Sequence, residues 1–231
     1  MPRPLRLFLP GVATHLIQRG ANRSACFRRE SDYVVYLLHL RDLSRKLGCD
    51  VHAYCLMTNH VHLLISPETA AAGTHMMKAL GQHYAQYFNR AYGRTGPLWD
   101  GRYRSCVAES ARYVIACYRY IELNPVRAGI VNHPARYRWS SHGANAEGHD
   151  DGLATPHVEF VNLGRDLEAR RRAYRALFDD ALDPSLIEGI RTATNSGYPL
   201  ASDTFKAEIA AAFGCRIAPS PPGPKPGKIR V

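Results

Sequence analysis

The sequence predicts an α+β fold, an antiparallel sheet with helices packed on one face, followed by a small helical C-terminal region. Three observations predict it. Over roughly the first 140 residues the apolar period alternates between two and 3.6 in the order β-α-β-β-α-β-α. Two apolar strands at 50–57 and 60–66 are separated only by Thr58-Asn59, so they form a hairpin and must be antiparallel. Beyond Trp139 the composition shifts to Ser, Gly, Asn, Asp and His before charged helical patterns resume. Strands and helices in that order make a split βαβ, ferredoxin-like or RRM-like sheet.

Each element has its own local reason. Residues 11–19 read as a first strand, and Gly20-Ala21-Asn22-Arg23 as a polar loop. Ser31-Asp32 can cap a helix that runs to about residue 46, with Val34, Leu37, Leu38, Leu40 and Leu43 along one side and Gly48 as its stop. After the hairpin, Pro67 ends the second strand. Residues 74–92 form a helix whose apolar positions are Met77, Leu80, Tyr84, Tyr87 and Phe88. A loop of turn formers at 93–101 precedes a fourth strand at 102–108, and Glu109-Ser110 introduces a helix at 111–124 closed by Pro125. The expected division is a domain at 8–140, a linker at 141–163, a helical region at 164–216 and a basic Pro/Gly-rich tail at 217–231 that cannot form a core.

Composition narrows the partners. With 45% hydrophobic and 22% charged residues among 231, the chain is an ordinary globular one. Thirty Lys and Arg against twenty acidic residues leave a net charge of +10, which favours a polyanion through phosphate contacts and counterion release. No run of eighteen apolar residues exists, so no membrane partner is expected. Residues 1–10 hold two arginines and no adequate apolar segment, unlike a signal peptide. Six cysteines without a CxxC pair point to a reducing, cytoplasmic setting.

The chemistry concentrates in two places. His60 and His62 lie two apart on a strand, hence on one face, where neutral imidazoles can chelate a divalent cation. Tyr120 and Asn124 lie four apart on a helix, one turn from each other. Asn124 offers a carbonyl oxygen that suits a hard cation, and Tyr120 a phenolic nucleophile. Tyr118 and Glu122 share that spacing and point about 200° away, and spacing alone does not choose between the pairs. Tyr113 is expected to pack, and His15 to be either satisfied in the core or beside the site. Cys49, His52 and Cys55 raise a structural zinc, but strand alternation puts His52 and Cys55 on opposite sides, and no second cysteine pair completes the set.

Asn59-His60-Val61-His62-Leu63-Leu64, Gly96-Pro97-Leu98-Trp99-Asp100-Gly101-Arg102-Tyr103 and Tyr120-Ile121-Glu122-Leu123-Asn124-Pro125-Val126-Arg127-Ala128-Gly129 together resemble the REP-associated tyrosine transposases, within the HUH single-tyrosine transposases. The likeness spans about residues 8–140. It implies a bacterial, nucleoid-associated enzyme in which His60, His62 and Asn124 hold Mg²⁺ or Mn²⁺ and Tyr120 attacks single-stranded DNA beside a hairpin. Many such transposases carry Gln where this chain has Asn124, one methylene shorter. Arg90, Arg94, Arg102 and Arg104 are candidates to grip phosphates, with Trp99 or Tyr103 stacking on a base. Residues 190–198 and Phe205-Lys206 resemble C-terminal extensions of similar bacterial proteins. Whether the chain acts as a monomer or a homodimer is left open. Two other readings compete: a rolling-circle initiator or relaxase, and a nucleic-acid-binding module without cleavage.

Overall fold

A computed structural model describes residues 6–214. The tail at 217–231 and the last residues of the expected helical region lie outside them. Strands β1 (Thr14–Arg19), β2 (Cys49–Met57), β3 (His60–Pro67) and β4 (Arg104–Val107) form one sheet in the order β2-β3-β1-β4, every neighbour antiparallel. With α1 (Glu30–Leu47) and α2 (Ala70–Ala91) as its crossovers, this is the ferredoxin-like plan.

Helix α1 is capped at Arg29, two residues before the Ser31 of its Ser-Asp signal. The Asp32 carboxylate accepts the N–H groups of Arg28 and Arg29 at 2.7 and 3.0 Å. It also accepts the hydroxyls of Tyr87 and Tyr92 at 2.9 and 2.7 Å, so one buried acid both caps α1 and ties it to the end of α2. Gly48, at φ 63°, turns the chain from α1 into β2. Leu16, Leu56, Val61, Leu63 and Ile65 of the sheet pack against Tyr36 and Leu40 of α1 and Met76, Leu80, Tyr84 and Phe88 of α2.

The opposite face is covered as well. Ala53, Cys55, Met57, Leu64 and Cys106 meet Val114, Cys117 and Ile121 of α3 (Ala111–Glu122), and Tyr174 and Ile190 of α7 (Leu167–Ala176) and α8 (Pro184–Ser196) belong to the same cluster. Between these lie α4 (Asn124–Arg127), α5 (His142–Asn145) and α6 (Val158–Val161), and α9 (Asp203–Phe213) follows. A sheet covered on both sides explains why nearly every residue of β2 and β3 is buried and their apolar runs are almost unbroken. No described helix is long and apolar enough to cross a membrane.

Strand alternation fails at one point. A register shift between Val51 and Ala53 turns His52 toward α3, with its ring 6.5 Å from that of Tyr118, so His52 is not opposed to Cys55 as strict alternation requires. Its Nδ1 bonds the Thr155 carbonyl and its Nε2 the Ser66 hydroxyl, both at 2.8 Å.

Residues 141–163, read as a linker, are packed along β2. The Leu56 N–H donates to the Trp139 carbonyl, Ser141 N–H to Tyr54 and Thr155 N–H to Val51, so the sheet edge is covered. Glu122 anchors this segment. It is fully buried and accepts Ser141 Oγ at 2.6 Å, Asn145 Nδ2 at 2.8 Å, Tyr174 OH at 2.8 Å and His142 Nδ1 at 3.1 Å. The Tyr118 hydroxyl, also buried, accepts the His157 N–H at 3.0 Å. The Tyr118/Glu122 pair is therefore structural, and a carboxylate so saturated is not a metal ligand. Glu122→Ala removes the acceptor of four buried donors, leaving Ser141 Oγ and Asn145 Nδ2 only their longer bonds to the Tyr54 and His52 carbonyls, and should cost about 3–5 kcal/mol, read as a lowered midpoint of urea unfolding; a loss under about 1 kcal/mol would contradict this role.

Candidate active site

The face of the sheet under α3 carries the histidines. Register places Ile17 opposite His62 and Arg19 opposite His60 on β1. The His60 and His62 rings lie 5.0 Å apart between centroids, as the two-residue spacing on β3 requires. His15, which the sequence left between core and site, belongs to the site: its Nε2 is 3.0 Å from His62 Nδ1, and its Nδ1 is 3.0 Å from Thr194 Oγ1 of α8.

His60 is oriented from the turn. Asn59 Nδ2 donates to the Arg23 carbonyl at 3.1 Å, which turns Asn59 Oδ1 toward His60 Nδ1 at 2.6 Å. An amide oxygen only accepts, so His60 carries its proton on Nδ1 and leaves the Nε2 lone pair free. Burial holds the rings neutral. The pKa of His60 is lowered to about 4 by burial and then by Arg19, and that of His15 to about 3 by burial and then by Arg127. His62 is also held well below the usual imidazole range by burial, with His60 and His15 adding to the effect. Neutral imidazoles with a free nitrogen are what a divalent cation needs.

Tyr120 comes to this face from α3. Its ring stands edge-on to His62 and His15, with centroids 5.8 and 5.6 Å away, and it is 5% exposed. Helix α3 stops at Glu122, two residues short of its expected end, because Pro125 has no N–H to offer the Ile121 carbonyl. Asn124 fills that place: its amide donates to the carbonyls of Tyr120 and Ile121 at 3.0 and 3.2 Å. Its carbonyl oxygen accepts Arg127 at 2.9 Å. Asn124 thus sits one turn from Tyr120, as its spacing requires, but caps the helix and binds Arg127 with its polar atoms. Of the three expected ligands, His60 and His62 lie side by side and the Asn124 oxygen is held by Arg127; no group of three His, Cys, Asp or Glu among the described residues is placed to hold a metal ion.

Arg127 is a residue of this site that spacing did not flag. Its guanidinium lies 4.1 Å over the Tyr120 ring, donates to the Tyr120 carbonyl at 2.9 Å, and keeps Nη1 buried without a partner in the structure. Arg127 stands seven residues beyond Tyr120 across the helix break, so no helical periodicity connects them. Thr194 was equally invisible, lying on a helix more than seventy residues from Tyr120 in sequence.

The residues expected to touch DNA scatter. Trp99 is a core residue, 9% exposed, with its indole N–H donating to the Gly81 carbonyl at 3.0 Å; the stacking role is corrected, because its ring packs against Tyr36 and Tyr84. Tyr103 is buried too, against Phe8. Arg90 is exposed at the end of α2, Arg94 lies over Phe88, and Arg102 lines a cavity of about 750 Å³ beside Trp99 and Tyr103. Arg104, exposed on β4, bonds Asn195 of α8.

The buried histidines dictate acid lability. Unfolded, each takes a proton near 6.5; folded, His52 and His60 resist until about 4 and His15 until about 3. Stability is therefore complete above the unfolded value and lost as pH falls through that window, by about 1.4 kcal/mol per pH unit for each histidine. The melting temperature should be level above about pH 7 and fall steeply below about pH 6; a profile that stays flat to about pH 5 would contradict the neutral assignment.

The model of the family described as "Transposase IS200 like" matches residues 9–124, half of the chain, including His60, His62, Tyr120 and Asn124. A solved structure of a REP-associated tyrosine transposase bound to a REP hairpin is similar at 16% identity with a TM-score of 0.52, covering 67% of this chain and 89% of that one. That likeness shows a shared fold. A protein from Deinococcus radiodurans described as a transposase matches at 21% identity over 49% of this chain and 91% of that one, with a TM-score of 0.36. No curated protein matches the chain. The family match runs from β1 to the end of α3, the stretch that builds the histidine face and brings Tyr120 to it, and the chain belongs to the IS200-like transposase family.

Proposed function

We propose that this chain is a metal-dependent single-stranded DNA transposase that cuts and rejoins DNA beside hairpins of repetitive palindromic elements, through a 5′-phosphotyrosine at Tyr120. The observation that carries the reading is Tyr120 held edge-on to the neutral imidazoles of His62 and His15, with His60 beside His62, and beneath Arg127. The hairpin in the similar REP-associated structure and the charge of +10 support the choice of nucleic acid.

His60 and His62 would hold Mg²⁺ or Mn²⁺ through Nε2, and the ion when bound supplies Lewis-acid stabilisation of charge on the non-bridging phosphate oxygens. Asn124 would be the third ligand only with its carbonyl oxygen released from Arg127. Arg127 lies across the almost buried Tyr120 ring, and its buried unpartnered Nη1 would donate to a phosphate brought to that tyrosine. Tyr120 Oη attacks phosphorus, the P–O3′ bond breaks, and the proton lost by the phenol is balanced by the one gained at the 3′-oxygen. The product keeps the 5′-phosphate on Tyr120 and frees a 3′-hydroxyl. Reversal by the same or another 3′-hydroxyl rejoins strands without ATP, since the phosphoester is conserved.

Incubation with a labelled hairpin oligonucleotide and Mn²⁺ should give a covalent protein–DNA adduct on a denaturing gel. The adduct should vanish in Tyr120→Phe and on chelation; its persistence in Tyr120→Phe would sink the assignment. Arg127→Ala should slow single-turnover adduct formation by about 100-fold, and an unchanged rate would remove Arg127 from the phosphate site.

A further inference from the structure

We propose that Thr194, on the C-terminal helix α8, sets the tautomer of His62 through His15, so that the His62 Nε2 lone pair faces the metal position. The proposal rests on the metal reading above for its purpose, but its geometry stands in the chain itself. Thr194, His15 and His62 are 0%, 0% and 2% exposed, so water does not compete for their polar atoms.

The direction of the chain follows from its far end. The Thr194 hydroxyl lies 2.7 Å from the Ile190 carbonyl, which can only accept, so the hydroxyl proton goes there. Its oxygen then accepts, at 3.0 Å from His15 Nδ1 and 3.2 Å from Cys106 Sγ. With its proton on Nδ1, His15 presents a bare Nε2, and His62 Nδ1, 3.0 Å away, must be the donor. The two imidazole planes are 4° apart with centroids at 5.3 Å, the arrangement of an in-plane hydrogen bond in which the lone pair points along the N–H. His62 thus holds its proton on Nδ1, as His60 does against Asn59, and both strand histidines are left with Nε2 unprotonated.

The opposite direction has a distinct consequence. Were Thr194 to donate to His15, His15 would donate to His62 Nδ1, and the proton would sit on His62 Nε2, where it blocks a cation. Partners that fix the orientation and tautomer of a metal-binding histidine are a general feature of such sites. Here the partner comes from outside the family-matched residues 9–124. Two contacts seat helix α8 on the sheet. Leu200, just beyond the helix, donates its N–H to the Val107 carbonyl, and Asn195 bonds Arg104. Both fix Thr194 against β4 and β1, and the C-terminal helices become part of the site.

Long-range ¹H–¹⁵N spectra of the metal-free full chain decide the direction. A pyrrole-type Nδ1 and a pyridine-type Nε2 on His62 are expected; the reverse pattern overturns the proposal, whether or not any variant folds. Calorimetry with Mn²⁺ alone tests the consequence. Thr194→Val should shift His62 toward mixed tautomers and weaken Mn²⁺ binding by about tenfold, and Thr194→Ser should restore both. An unchanged tautomer and affinity in a folded Thr194→Val also overturns it. If wild-type protein shows the expected tautomer but binds no Mn²⁺, the relay stands and the metal reading fails, so the two failures are told apart.

Discussion

Burial of three imidazoles beneath α3 and α8 is the constraint on which the site depends. In water a histidine is a switch near neutral pH; under these helices His15, His60 and His62 are held neutral, and the Nδ1 of each has a hydrogen-bond partner. Desolvating three polar rings costs stability, and the loss is contained because His15 and His62 satisfy each other and are tied to Thr194. Neutrality also means that a cation does not have to displace protons before it binds. The same burial makes the site an acid-labile part of the fold, so preorganisation for chemistry and sensitivity to low pH have one cause.

The second dependence is the break at Pro125. A missing N–H frees the Ile121 carbonyl, Asn124 turns its amide to meet it, and Arg127 on the next short helix folds back over Tyr120. A continuous helix would carry residue 127 away from residue 120 along its axis; the break brings the guanidinium across the ring. Tyr120, the guanidinium that covers it and the Asn124 carbonyl oxygen, proposed above as nucleophile, phosphate-binding cation and third ligand, are thus set by one local interruption. Glu122, between them in sequence, faces the other way and holds α3 against the 141–145 segment and Tyr174, which fixes the rotation of α3 and so the direction in which Tyr120 points.

Much of this was legible in the residues. Period two on β3 put His60 and His62 on one face, period 3.6 on α3 put Tyr120 and Asn124 within a turn, and the hairpin at Thr58-Asn59 fixed strand direction. What escaped was whatever depends on long-range pairing. The bulge at Val51/Ala53 reverses the facing of His52 and leaves no trace in composition. Trp99 in a Gly-rich loop reads as a surface aromatic, yet it closes the core because Gly81 gives its indole an accessible carbonyl. Residues 141–163 look like a linker by composition, since a chain that covers a sheet edge through backbone hydrogen bonds needs few apolar side chains. Thr194 lies in a stretch that resembles other C-terminal extensions, a likeness that gives it no role; only the seating of α8 on β4 brings it to His15.

His60 and His62 are proposed to hold one cation on the side of Tyr120. Crystals grown with Mn²⁺ and measured at the manganese absorption edge test it most directly. An anomalous peak bound to Nε2 of both His60 and His62, on the side where Tyr120 lies, is expected. Manganese bound elsewhere with none between those two nitrogens, or bound to them from the side away from Tyr120, would contradict it.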